Sequence, residues 1–233
     1  MFIICPLSQC ASPEKRDRFL SYIEKIAPVT FNTEPNCHAY AWFRSADDND
    51  VVPSHWLRGF EIYTSVEANQ VEHRASPEYK DFRTAAGEEK LLSKPSDLRF
   101  WRPGGIGFLT KGAPAVFGPV ESSSRLQYLV TEEINPRNGE RSKIFELFRR
   151  IVANAEQDDA TLTLWVQDRI GTPDTRPEKI EDESLFVLLR FEDRNGADAF
   201  YSQTKSEWAK IRELSEHNRR TTWVESGIGF IGR

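Results

Sequence analysis

The chain has 233 residues, 39% of them hydrophobic, with a formal net charge of −5 and a pI near 5.5. That length can bury a sizeable core, and the mild acidity argues against nucleic acid or an anionic membrane as main partner, since both reward basic patches. Cys5, Cys10 and Cys37 are odd in number and confined to the N-terminal part, which is no disulfide framework and fits a reducing compartment.

In chain order, Phe2 to Cys5 reads as a short buried strand. The start has too short an apolar run, and no basic region, for a signal peptide, and no run approaches a membrane span, so the expectation is a cytoplasmic protein. Ser12-Pro13 opens a helix, with a capping hydroxyl and then proline at the first helical position. Phe19, Leu20, Ile23 and Ile26 give it an apolar stripe, and Pro28 is expected to end it. Cys37 to Arg44 alternates as a strand, with Tyr40 and Trp42 on one face and Ala39, Ala41 and Phe43 on the other. An acidic loop with Asp47, Asp48 and Asp50 leads to a third strand, Leu57 to Tyr63. Ser65 caps a short helix running through Ala68 and Val71 to His73. Ser76-Pro77 restarts it with Tyr79, Phe82 and Ala86 on its apolar side. Leu98 to Leu109 closes the unit as a long strand bent at Pro103-Gly104-Gly105. The order β-α-β-β-α-β is that of a ferredoxin-like fold.

The same order then repeats. Leu126 to Ile134 is a strand, and Ile144, Phe145, Phe148, Ile151 and Val152 mark an amphipathic helix. Leu162 to Asp168 and Leu185 to Phe191 are central strands around a polar loop, Gly171 to Glu183. A helix carrying Ala197 and Phe200 follows, then capping-box spacing at Thr204 to Glu207, and Thr221 to Ile231 closes the unit.

Individual residues carry the repeat as well. Trp101 and Gly105-Ile106-Gly107-Phe108 recur 122 residues on, as Trp223 and Gly227-Ile228-Gly229-Phe230. Trp42 aligns with Trp165 at an offset of 123, and Ala68, Tyr79 and Phe82 align with Ala197, Trp208 and Ile211 at 129. We divide the chain into repeat 1, residues 1–120, and repeat 2, residues 121–233, meeting near Gly118 to Ser124. A lone ferredoxin-like unit leaves one apolar sheet face bare, so the two must bury it together. The expected fold is α+β: two ferredoxin-like repeats packed sheet to sheet as an intramolecular α+β barrel. Such a chain needs no obligate dimer, and is expected as a monomeric pseudo-dimer or a weak homodimer.

The run Glu61-Ile62-Tyr63-Thr64-Ser65, Ala68, His73-Arg74-Ala75-Ser76-Pro77-Glu78-Tyr79 and Phe82 resembles the antibiotic biosynthesis monooxygenase (ABM) family. The resemblance implies a dimeric α+β barrel, here fused into one chain, with a pocket between sheet and helices. Relatives oxidise polycyclic phenols or quinol-like compounds with O₂ and no flavin or metal; others degrade haem. On an offset of 129, repeat 2 has Arg190, Glu192 and Ser202 where repeat 1 has Glu61, Tyr63 and His73.

An electron-rich phenolate or enolate can reduce O₂ directly, so the protein need only deprotonate it, hold it and exclude water. His73 has the intrinsic range of a base, Tyr63 can donate to an oxyanion, and Glu61 completes the polar set. Trp42, Tyr40 and Trp101 could wall the pocket. Each also has a plainer reading: His73 as a helix-end or surface histidine opposite Val71, Glu61 as a structural ion pair, the tryptophans as core. No metal-ligand spacing and no serine-nucleophile elbow is present. The Gly-Ile-Gly-Phe glycines precede no helix and read as bends or close backbone approaches.

The expected function is therefore a cofactor-independent monooxygenase-like enzyme acting with O₂ on a small aromatic or polyketide-type compound in repeat 1. The alternatives are a non-catalytic ligand-binding or stress-associated barrel, or a non-redox (cyclase or dehydratase) or haem-binding member, with His73 as the haem ligand.

Overall fold

Four strands from each half join into one ring in the computed structural model, which describes residues 1–112, 114–120, 126–171 and 180–233. Repeat 1 supplies β1 (Phe2–Ile4), a short β2 (Leu7–Ser8), α1 (Pro13–Thr33), β3 (Cys37–Ser45), β4 (Leu57–Tyr63), α2 (Pro77–Glu88) and β5 (Phe100–Phe108). A short β6 (Ala115–Val116) follows. Repeat 2 supplies β7 (Tyr128–Pro136), α3 (Arg141–Gln157), β8 (Thr161–Ile170), β9 (Ile180–Phe191), α4 (Arg194–Gln203), α5 (Lys205–Glu213) and β10 (Ser215–Ile231). The strands run antiparallel in the order β1-β5-β8-β9-β7-β10-β3-β4, and β4 pairs back with β1. The α+β barrel is thus closed within one chain. The join is reciprocal, because each repeat's last strand pairs with the second strand of the other: β5 with β8, and β10 with β3.

Strand alternation sorts the apolar side chains into three cores. Inside the barrel lie Ile3, Ala41, Phe60, Trp101, Leu188 and Trp223. Between the sheet and the helices of repeat 1 lie Ile4, Phe19, Ile23, Tyr40, Trp42 and Tyr63. The matching layer of repeat 2 holds Ile144, Phe148, Val187, Leu189, Phe200 and Trp208. Trp101 and Trp223 occupy the final strands of their repeats and share the barrel interior, as the duplication requires. The glycines beyond them are there for close approach. A Cβ on Gly107 would sit 2.0 Å from the Leu164 carbonyl oxygen, and one on Gly229 would sit 2.1 Å from that of Tyr40.

Several local expectations need correction. Pro28 does not end α1, which continues to Thr33. The missing N–H costs one ladder bond, but the extra turn buries Thr30 and sets Phe31 against Phe230 with ring centroids 5.0 Å apart. Thr204 caps no N–H of α5; its hydroxyl donates back to the Phe200 carbonyl at 2.7 Å. Trp42 and Trp165 are not equivalent, since Trp42 faces the helices and Trp165 the barrel interior. An alignment one residue out moves a strand side chain to the other face. The polar loop read over Gly171 to Glu183 and the repeat junction fall largely outside the described residues. No helix among those residues is long and apolar enough to cross a membrane.

Candidate active site

Between the sheet and the helices of repeat 1 lies a cavity of about 650 Å³. One part of its wall is aromatic: Phe19 from α1, Tyr40 and Trp42 from β3, Tyr79 and Phe82 from α2. Strand periodicity brings Tyr40, Trp42, Glu61 and Tyr63 to this one face. Glu61, Asn69 and Arg74 supply polar groups to the wall, and Arg83, Lys90 and Lys94 line it as well.

Glu61 is 8% exposed, and its carboxylate accepts a hydrogen bond from the Tyr63 hydroxyl at 2.9 Å. Burial pushes its pKa above the ordinary carboxylate range, while His73, the Tyr63 hydroxyl and Arg74 pull it part of the way back. Burial also raises the phenols of Tyr40 and Tyr63 well above their usual value, so both stay protonated donors. Arg74 carries a buried Nε without a hydrogen-bond partner. Arrayed this way, the cavity offers a proton acceptor, a cation and an apolar slot for a flat ring.

His73 is placed differently from the expectation. It ends a π-helical segment, Ala68–His73, rather than an ordinary helix. Val71 and His73 lie on opposite sides of it, but it is Val71 that is 64% exposed and His73 that is only 1% exposed. The imidazole does not line the cavity. Its Nδ1 pairs with Glu34 Oε2 at 2.9 Å, its Nε2 has no partner, and the rings of Tyr40, Tyr63 and Tyr79 surround it at 5.0–5.7 Å. It is neither a surface group nor a free base at the pocket.

Trp101 also leaves the site. It sits on the barrel's inner face, 5.3 Å from the Phe186 ring centroid, and borders a separate polar cavity of about 360 Å³ with Arg99, Glu133 and Arg219. Of the six residues proposed from sequence, Glu61, Tyr40 and Trp42 line the cavity, Tyr63 backs Glu61, and His73 and Trp101 do not line it. Asn69, Arg74 and Glu34 were missed. Arg74 stands next to His73 in the run that carries the resemblance, whereas Asn69 and Glu34 give no pattern at all.

The strand registers also re-align repeat 2. Ile4 pairs with Glu61 and Phe2 with Tyr63, whereas Val130 pairs with Leu189 and Tyr128 with Phe191. The counterparts of Glu61 and Tyr63 are therefore Leu189 and Phe191, not Arg190 and Glu192. Arg190 turns to the other face, where it donates to Thr163 Oγ1 at 3.1 Å and Gln127 Oε1 at 2.8 Å. On the helix face of repeat 2, buried Glu132 accepts from Arg220 Nε at 2.6 Å and from the Tyr201 hydroxyl at 3.1 Å. The Arg220 guanidinium lies 3.8 Å from the Tyr201 ring centroid.

Residues 7–85 match the family model described as antibiotic biosynthesis monooxygenase. The match lies within repeat 1. Solved structures extend the likeness of fold over the whole chain. A proposed monooxygenase from Fusobacterium nucleatum is 11% identical, with a TM-score of 0.72 over 100% of this chain and 94% of its own. A proposed monooxygenase from Lactobacillus acidophilus is 10% identical, with a TM-score of 0.68 over 99% and 95%. An anthrone oxidase-like protein is 15% identical, with a TM-score of 0.62 over 96% and 90%. At these identities the likeness is one of fold. No curated protein matches the chain. Glu61, Tyr63, Asn69, Arg74 and Tyr79 all fall within the matched residues.

Proposed function

We propose that repeat 1 is a cofactor-independent oxygenase for a small aromatic or polyketide-type phenol, with Glu61 rather than His73 as the base. The observation that carries this is the Glu61 carboxylate on the wall of a partly aromatic cavity, its pKa raised by burial and its orientation fixed by Tyr63. A carboxylate poised above its ordinary range can take a proton from an activated C–H or O–H near neutrality. Arg74 would hold the resulting enolate or phenolate, and Trp42, Tyr79 and Phe82 would flank its ring. The anion passes one electron to O₂, and the carbon radical and superoxide combine into a peroxide. For an anthrone-type CH₂, loss of water then leaves a C=O. One oxygen atom of O₂ enters the product and the other departs as water.

Within this scheme His73 and Glu34 hold Tyr63 and Tyr40 in place and do no proton transfer to substrate. The test is O₂ uptake by metal-stripped protein over a panel of anthrones, hydroquinones and polyphenols, with ¹⁸O₂ label followed into product. Uptake with one labelled oxygen per product, lost in Glu61→Gln, supports the proposal. Ligand binding without turnover across the panel would point instead to a binding barrel.

A further inference from the structure

A second cavity, of about 700 Å³, lies on the other side of α1. Leu20, Ala27 and Phe31 of α1 form one wall, Ile228 and Phe230 of β10 the floor, and the run Val116 to Val120 the opposite lip. It is separate from the Glu61 cavity: neighbouring α1 residues Phe19 and Leu20 face the two spaces, as do Trp42 and Arg44 of β3.

Two observations mark it as a site rather than a packing gap. The first is the backbone that shapes it. Gly227 has φ +81, and a Cβ there would meet the Gly118 carbonyl oxygen at 2.6 Å, so glycine lets the lip lie on the strand. Pro28, on the wall, removes the N–H that would bond the Glu24 carbonyl and leaves that acceptor without its helical partner. The second is charge. The lip exposes Val116 and Val120, 61% and 37% accessible, among few large apolar side chains left in water. The cation lining the cavity is Arg44, whose Nε is buried without a hydrogen-bond partner, while Asp17 and Glu24 stand on α1 at its border. The Glu225 carboxylate feels Arg44 but is committed to the Gln127 N–H at 3.0 Å.

We infer that this cavity is a second small-molecule site, for a ring-bearing apolar monocarboxylate whose acid pairs with Arg44 and whose body lies on Leu20, Phe31 and Phe230. Its volume is that of a drug-sized ligand, within about 300–1,000 Å³. Asp17 and Glu24 repel a second anionic group, which sets a monoanion apart from a dianion.

Calorimetric titration with 2-naphthoate, with neutral 2-naphthamide and with 2,6-naphthalenedicarboxylate tests it. Naphthoate should bind, and Arg44→Gln should weaken it by roughly tenfold or more, the share of a charge-assisted pair, while leaving naphthamide unchanged. The dicarboxylate should bind more weakly than naphthoate. Ser21→Trp, at a half-exposed position on the wall, should abolish binding of both mono-ring-system probes with an unchanged circular dichroism spectrum and melting temperature. Glu61→Gln should leave the titration as it is, which separates this site from the proposed active site. Naphthoate binding that ignores Arg44→Gln and Ser21→Trp, binding lost in Glu61→Gln, or no heat up to millimolar probe would each overturn the inference.

Discussion

The Tyr63 hydroxyl and the Glu61 carboxylate stand two residues apart on one face of β4 and meet at 2.9 Å. The period of two in a strand makes that meeting automatic once both face the helices. The donor orients the carboxylate and stabilises its charged form, so the pair can be tuned as a unit.

Replacing Glu61 should separate activity from stability. Glu61→Gln is expected to lower kcat/KM by about 10²-fold or more, as for loss of a general base. Its folded pKa lies above the unfolded value, so the native protein binds the extra proton and stability falls as pH rises through that window. Glu61→Gln should therefore melt at an equal or higher temperature than the parent at pH 8, and lose that advantage near pH 4. Melting curves at the two pH values check the sign.

Tyr63→Phe removes the hydrogen bond that lowers the Glu61 pKa. The acidic limb of the pH–kcat/KM profile should move to higher pH, with an apolar substrate's KM little changed. A profile that stays in place would show that Glu61 is not the titrating base.

His73→Ala should act through the fold. It strips the imidazole from Glu34, which is 7% exposed, and leaves that buried carboxylate with only the Thr30 hydroxyl at 3.2 Å. Breaking a buried pair costs about 3–5 kcal/mol, or a fall on the order of 10 °C in a chain this long. The sequence reads His73 as a candidate base or a surface histidine, and its burial makes its main effect one on stability. His73→Gln, which keeps a donor, should recover much of the loss in differential scanning calorimetry.

All three cysteines are free and buried. Burial pushes the Cys10 thiol up to about 12 and raises Cys5 and Cys37 as well. Native protein at pH 8 should resist alkylation by iodoacetamide, and denatured protein should take up three labels, as mass spectrometry would count.

Gly229→Ala would force a Cβ to within 2.1 Å of the Tyr40 carbonyl oxygen at a backbone φ of +120. A destabilisation above about 3 kcal/mol is expected. Gly87→Ala, on a helix with nothing within 4 Å, should be neutral or slightly stabilising. Urea melts of the two variants give the comparison.

Much of this was readable from the residues. The paired Trp and Gly-Ile-Gly-Phe runs gave the duplication, and alternation put Tyr40 and Trp42 together on the face that also carries Glu61 and Tyr63. What escaped depends on register and distance. The Trp42–Trp165 alignment was one residue out, and nothing in a sequence penalises a slip that exchanges one apolar face for another. His73 was misplaced because Val71 reads as the buried side of its helix; the two do lie on opposite faces, but it is Val71 that faces water and His73 that is buried. Glu34 lies 39 residues from His73, so their pairing exists only once α1 has docked. Pro28 reads as a stop because the packing of Phe31 on Phe230 is a contact with the far end of the chain.

The reciprocal strand exchange, β5 onto β8 and β10 onto β3, also bears on how this chain can vary. In a barrel assembled from two identical subunits every substitution is made twice, so a site cannot be abandoned on one side and kept on the other. With both halves encoded in tandem, each position mutates singly, while the crossed strands still oblige the halves to fold as one. Leu189 and Phe191 can then replace an acid and a phenol, and Arg220 can settle onto Tyr201, without disturbing Glu61. Physical linkage has separated the inheritance of the two halves while leaving their folding inseparable.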